Sequence, residues 1–136
     1  MTREKILDMS AGRDIDAAIH HLIFGNEVNK TVWVEKTSEY YYSSANEIKR
    51  YSEDIAAAWL VAEKVNLMIC ENILEATEGY NYLSLECLGV TSGYAASFDC
   101  LLDDEWFEDI TNYKYAACAD TAPLAICKAA LLAVWS

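Results

Sequence analysis

The chain has 136 residues, a hydrophobic fraction of 54% and a formal net charge of −12. A hydrophobic fraction of this size excludes a disordered chain, and the length fits a single domain over residues 1–136. The negative charge repels phosphate backbones and anionic lipids, so it disfavours direct binding to nucleic acid or to a membrane.

The N-terminal residues MTREKILD carry charges where a secretory signal would have an apolar stretch, and no later stretch reaches membrane length. These features predict a soluble, cytoplasmic protein. The five cysteines form no C-x-x-C pair, which argues against structural zinc and against a disulfide framework. We therefore expect buried, reduced thiols.

Two helices are predicted near the N-terminus. The first covers Thr2–Met9, and the second begins at Asp14 and ends at Gly25, with acidic residues near its positive end. The apolar residues that fall at helical spacing in the second helix are Ile15, Ala18, Ile19 and Leu22. They predict its buried stripe.

The apolar residues of segment 26–50 follow neither the helical nor the strand period. The exception is a short edge strand predicted at Thr31–Val34. Long irregular segments are often functional. This one combines aromatic residues, which can stack on a planar ligand, with cations that can bind phosphate. The predicted ligand-binding residues are Arg13, Trp33, Tyr40, Tyr41, Tyr42, Lys49 and Arg50. In the alternative, these aromatic residues only pack the segment onto the core.

A third helix is predicted from Ser52, as its cap, to Val65. Beyond this helix, polar and apolar residues alternate along the chain, which predicts strands. These strands cover Leu67–Cys70, Tyr82–Cys87, Tyr94–Leu101 and Tyr113–Cys118. The turn residues between the second and third of them predict a hairpin.

The C-terminal stretch Asp120–Trp135 predicts a helix that is apolar around almost its whole circumference. Such a helix must be buried on more than one side, so we expect it at the centre of the fold. Helices, then a mostly antiparallel sheet of three or four strands, then a helix define the α+β class, with helices flanking a small sheet as in an α/β/α sandwich.

Acidic residues dominate the strand region, where Val65 to Tyr113 contains ten Asp or Glu and no Lys or Arg. The densest cluster consists of Asp103, Asp104, Glu105, Glu108 and Asp109. It lacks the turn glycine and the ligand spacing of a calcium loop. It predicts a protein-interaction surface, and no metal or cofactor is expected.

The only histidines, His20 and His21, are adjacent and would point about 100° apart on a helix, so they cannot share one ion. Asp16 and His20 stand four residues apart and predict a contact within the helix. No cysteine or serine is singled out as a nucleophile beside them. We therefore expect a protein without catalytic residues.

Three stretches, GRDIDAAIHHLIFG, YSEDIAAAWLVAEK and ADTAPLAICKAALLAV, resemble in this order the phage α/β/α sandwich domain family of small phage and prophage proteins. The resemblance implies a compact sheet covered by helices. It also implies a phage or prophage origin, and hence the cytoplasm of a host bacterial cell. It implies no catalytic residues.

Two functions suit a phage accessory protein of this size. The first is counter-defence by sequestering a small nucleotide-derived immune signal of the host, in a homo-oligomer with shared pockets. The alternative is an acidic inhibitor that mimics nucleic acid and docks on a basic surface of a host protein. The aromatic segment favours the first, and the acidic cluster favours the second.

Overall fold

The computed structural model describes residues 2–26, 28–32, 39–42, 48–70, 84–87, 93–98 and 116–135. Its elements in chain order are α1 (Arg3–Asp8), α2 (Arg13–Leu22), β1 (Asn29–Val32), β2 (Glu39–Tyr42), α3 (Ile55–Cys70), β3 (Ser84–Cys87), β4 (Tyr94–Ser97), β5 (Ala116–Ala119) and α4 (Ala122–Trp135). The α+β class predicted from the sequence is confirmed. No helix within these ranges is both long enough and apolar enough to cross a membrane.

Helix α4 is the centre of the fold. Every residue from Ala125 to Ala133 is at most 7% exposed. The helix packs on α3, on β4 and β5, and on α1 and α2. Alanine at four of these positions lets neighbouring backbones approach closely, while Ile126, Leu131 and Leu132 fill the spaces between them. The predicted burial of this helix on more than one side is confirmed.

Strands β3, β4 and β5 form an antiparallel sheet in that order. The register places Ala96 of β4 between Leu85 of β3 and Ala117 of β5. Side chains opposite each other lie on the same face of a sheet, and Ala96 and Ala117 are buried in the same core as α4. Small residues on this face therefore allow α4 to lie close to the sheet.

Strands β1 and β2 form a separate antiparallel hairpin, in which Asn29 pairs with Tyr42 and Val32 with Glu39. The edge strand predicted at Thr31–Val34 overlaps β1, which begins two residues earlier. Strand β2 was not predicted, because its residues EYYY show no alternation of polar and apolar side chains.

The prediction of a strand at Leu67–Cys70 is wrong, because α3 continues through these residues to Cys70. A short apolar run fits a strand and a buried helix end equally well, and no Gly or Pro interrupts this one. The helix also begins later than predicted, at Ile55. Asp54 caps it, since its Oδ1 accepts from the amide of Ala56 at 3.0 Å.

The two N-terminal helices are present with shifted ends. Thr2 caps α1 through its hydroxyl, which accepts from the amide of Lys5 at 3.1 Å. Helix α2 buries Ile15 and Ile19 as predicted, but Leu22 is 38% exposed. The buried face of α2 is rotated toward Asp16 and His20, which are 5% and 1% exposed.

The cysteine prediction is only partly confirmed. Cys127 is buried, whereas Cys87 and Cys118 are exposed, and all three are free thiols. Successive side chains of a strand point to opposite faces. Because Ala117 of β5 faces the core, the neighbouring Cys118 must face away from it.

Two glycines allow a test of the turn that leads into β4. Gly93 has φ +79°, and a Cβ there would collide with the backbone carbonyl of Ala119. Gly25 has a similar φ of +70° but open space around it. We expect G25A to cost about 1 kcal/mol from backbone strain alone, and G93A more than about 3 kcal/mol because strand pairing must also shift. Urea denaturation measures both, and equal losses would contradict the predicted collision.

Candidate functional site

One row of residues on and beside α2 lies along the segment that precedes α3. At the start of this row the amide of Gly12 donates to Oγ of Ser52 at 2.9 Å. One turn later, Oδ1 of Asp16 accepts from the amide of Ser52 at 2.8 Å. Residues four apart lie above one another on a helix, so one strip of α2 holds this segment.

The same row continues to the other end of α2. Nδ1 of His20 and the hydroxyl of Tyr51 are hydrogen-bonded at 3.1 Å. The ring of Phe24 stacks on Tyr51 with 5.3 Å between centroids. We call this set of contacts the α2 clamp, formed by Gly12, Asp16, His20, Phe24, Tyr51 and Ser52. The clamp explains why α2 buries the polar side chains of Asp16 and His20. It also explains why Ser52 does not cap α3, since the hydroxyl of Ser52 accepts from the amide of Gly12.

The carboxyl group of Asp16 is buried, and this burial raises its pKa above the usual range. Hydrogen bonds from Ser52 lower the pKa again, the neighbouring charge of Glu53 raises it and that of Arg50 lowers it. Desolvation is the largest of these effects, so a negative charge on Asp16 is costly. The hydrogen bond from the buried Ser52 amide to Oδ1 offsets part of this cost.

His20 is 1% exposed, and its burial lowers the pKa of the imidazole. Burial also raises the pKa of the Tyr51 hydroxyl, with the charge of Asp16 adding to the effect. The phenol therefore keeps its proton and the imidazole stays neutral. Nε2 of His20 is buried and has no hydrogen-bond partner among the described residues. His20 is thus a packed core histidine with one unsatisfied nitrogen.

Cys127 of α4 is close enough to the clamp to sense the charge of Asp16. Burial, and then that charge, raise the pKa of its thiol far above the usual range. A thiol that stays protonated is a poor nucleophile. No group of three or more His, Cys, Asp or Glu side chains in the described ranges could hold a metal ion. The clamp therefore joins α2 to the start of α3, and the buried thiol of Cys127 beside it stays protonated.

Three of the predicted ligand-binding residues, Arg13, Lys49 and Arg50, are exposed. Arg13 directly follows Gly12, and Arg50 stands two residues before Ser52, so the bond between Gly12 and Ser52 brings their backbones together. Strand β2, which contains the three tyrosines, contacts α2. The positions of the tyrosine side chains are not described.

The remaining predicted site residues lie outside the described ranges. They are Trp33 of the ligand-binding set and the whole acidic cluster Asp103, Asp104, Glu105, Glu108 and Asp109. Their predicted roles stay predictions.

Lys128 forms a second buried polar contact, which sequence reasoning missed. Its Nζ donates to the backbone carbonyl of Leu7 at 2.6 Å. This carbonyl belongs to the last turn of α1, where helix carbonyls lack partners. Burial lowers the pKa of the amine, while the charges of Asp8, Asp120 and Cys118 raise it. A single lysine in an otherwise apolar helix was the signal for this contact between α4 and α1.

A C-terminal helix buried against an antiparallel sheet and three other helices defines a sandwich-type α+β domain. The family model of the phage ABA sandwich domain matches residues 17–131, from α2 to α4, and the chain belongs to this family. It is therefore a small phage protein. No curated protein and no solved structure matches the chain.

Two substitutions of Asp16 test the clamp. We expect D16A to destabilise the fold by about 2 kcal/mol, because it leaves the buried amide of Ser52 without an acceptor. D16N keeps an oxygen at the same place, and its cost should stay below about 1 kcal/mol. Urea denaturation at neutral pH measures both changes. Equal losses would show that the hydrogen bond to Ser52 contributes little.

The buried histidine predicts a loss of stability in mild acid. The pKa of His20 is lowered in the folded state, so between the lowered pKa and 6.5 the unfolded chain binds more protons than the folded chain. Stability therefore falls as the pH drops through 6.5. The free energy of unfolding should decrease more between pH 8 and pH 5.5 for the wild type than for H20Q. The same substitution at the exposed His21, H21Q, is the control and should retain the wild-type pH dependence.

Proposed function

We propose that this small phage protein is a non-catalytic binding protein that sequesters a nucleotide-derived immune signal of the bacterial host. The observation that carries the proposal is the group of exposed cations, Arg13, Lys49 and Arg50, on backbone joined by the α2 clamp. The strand with three consecutive tyrosines contacts the same helix.

The cations are unusual in this chain, which has 10 Lys and Arg against 22 Asp and Glu. In such a molecule most of the surface repels anions, and a local group of cations selects where an anion binds. Guanidinium groups suit this task because they bind phosphate oxygens in a bidentate manner. Aromatic side chains nearby would add stacking on a nucleobase.

The clamp supports binding by limiting the motion of the backbone that presents these cations. Ser52 is fully buried and is bonded through its amide and its hydroxyl. The carbonyl of Arg50 accepts from the amides of Glu53 and Asp54 at 3.2 and 2.9 Å. A preorganised site loses less conformational freedom when a ligand binds. The protonated and buried groups beneath it supply no nucleophile, which favours sequestration over degradation of the ligand.

A thermal-shift panel of cyclic dinucleotides and cyclic ADP-ribose isomers tests the proposal. A ligand that binds only the folded state, present at a concentration 100 times its Kd, adds about 2.7 kcal/mol to the free energy of unfolding. This gain corresponds to a rise of several degrees in the melting temperature. R13Q/R50Q and W33A should each abolish the shift with little change in the unliganded melting temperature. K5Q removes an exposed cation from α1 and should leave the shift intact.

The acidic inhibitor is the second candidate, supported by the net charge of −12 and by the stretch of 49 residues without Lys or Arg. The absence of any ligand-dependent shift, together with salt-sensitive capture of a basic host protein, would contradict sequestration and support this function. Replacing Asp103, Asp104 and Glu105 by Asn or Gln should then abolish the capture. A ligand shift without such capture would exclude the inhibitor.

A further inference from the structure

Helix α3 has two apolar faces, of which only one is buried. The buried face packs on α4 and consists of Ala57, Ala58, Val61, Ala62 and Val65. The opposite face, which we call the α3 outer face, consists of Ile55, Ala56, Trp59, Leu60, Glu63 and Leu67. Ile55, Trp59 and Leu67 are each at least half exposed, and Leu60 is 39% exposed.

The outer face is apolar where a surface helix is normally polar. At 100° per residue its six positions fall within an arc of roughly 140°, so they form one continuous strip. The four large side chains expose on the order of 100 Å² each, or roughly 400 Å² together. A patch of roughly 400 Å² matches the largest apolar patch of a typical monomer, and such a patch is often functional.

The charges on α3 indicate what kind of partner fits this strip. Glu63 and Lys64 are the only charged residues of the helix, so α3 is neutral within a chain of net charge −12. A strongly basic partner would find only one acidic side chain in the strip, that of Glu63. A neutral apolar partner fits, and two identical acidic molecules could meet here without opposing their acidic surfaces.

The strip is also complementary to itself. Ile55 and Leu67 stand six residues on either side of Val61, and Trp59 and Glu63 stand two residues on either side. Ile55, Trp59, Glu63 and Leu67 stand four residues apart and form one ridge of the helix. In a twofold interface a contact of residue i with residue j recurs as a contact of j with i, so two such ridges can pack in opposite directions. An antiparallel pair of α3 helices centred at Val61 therefore places apolar against apolar at its ends, and Trp59 against Glu63 between them.

We propose that the α3 outer face is a self-association surface through which two copies of this chain form a twofold dimer with antiparallel α3 helices. Ile55 of each copy packs on Leu67 of the other. The indole N–H of Trp59 donates to the carboxylate of Glu63 across the axis, which accounts for the one acid in the strip. The roughly 400 Å² of apolar surface forms the centre of an interface that needs about 800 Å² per partner.

Self-association is tested by sedimentation equilibrium of the full chain over a range of concentrations. The wild type should dimerise, and added salt should strengthen the dimer, because it screens repulsion between two acidic molecules. W59E should raise the dissociation constant by at least about 30-fold. L22E introduces the same charge at Leu22 of α2, which is 38% exposed, and should leave the dimer unchanged. Circular dichroism confirms that both variants fold.

A wild type that stays monomeric at all concentrations would overturn the proposal, as would a dimer that W59E does not weaken. These outcomes are independent of ligand binding, because the thermal-shift panel can succeed or fail with a monomer.

The orientation is tested by oxidative cross-linking in a C70S/C87S/C118S background, which removes the exposed thiols of Cys87 and Cys118 and the cysteine at the end of α3 itself. Antiparallel helices predict that the I55C/L67C double variant forms a disulfide-linked dimer, with peptide mapping showing Cys at 55 joined to Cys at 67. Neither single variant should then cross-link efficiently. Efficient cross-linking of both single variants would show parallel helices and would contradict the proposed register.

Discussion

The fold depends on the complete burial of α4. A helix that exposes no residue from Ala125 to Ala133 beyond 7% requires neighbours on all sides, and the sheet and the other three helices supply them. Each buried Leu or Ile contributes about 1.5–3 kcal/mol, so the apolar residues of this one helix outweigh any single polar contact in the molecule. The alanines between them decide how closely β4, β5 and α3 can approach.

The buried polar groups have a different role, because they fix positions that apolar packing alone would leave open. Apolar surfaces can slide past one another with little change in buried area, whereas a hydrogen bond is lost over a fraction of an ångström. Ser52 bonds to Gly12 and Asp16, and Lys128 bonds to Leu7, so α2 and α1 are held at defined positions. The first of these contacts joins the two backbone segments that carry the exposed Arg13 and Arg50.

The sequence predicted the elements whose apolar pattern is unambiguous. Periodicity was sufficient for α2 and for the strands β3 to β5, and composition was sufficient for the burial of α4. Periodicity failed at Leu67–Cys70, because a short apolar run has no period that distinguishes the end of a helix from a strand. The clamp could not be predicted, because its partners Asp16 and Ser52 are 36 residues apart in the chain and a single sequence does not show which distant polar groups meet.

Helices α3 and α4 show why composition alone does not reveal an interaction surface. Both are apolar on nearly every side, and both carry a Lys in the middle. In α4 the amine of Lys128 reaches a carbonyl of α1 inside the molecule, and all faces of the helix are covered. In α3 the charged Glu63 is exposed among apolar neighbours that are themselves exposed. The same kind of sequence thus fills the core in one place and forms an exposed apolar strip in another, and among the described residues the packing of the sheet and the other helices distinguishes them.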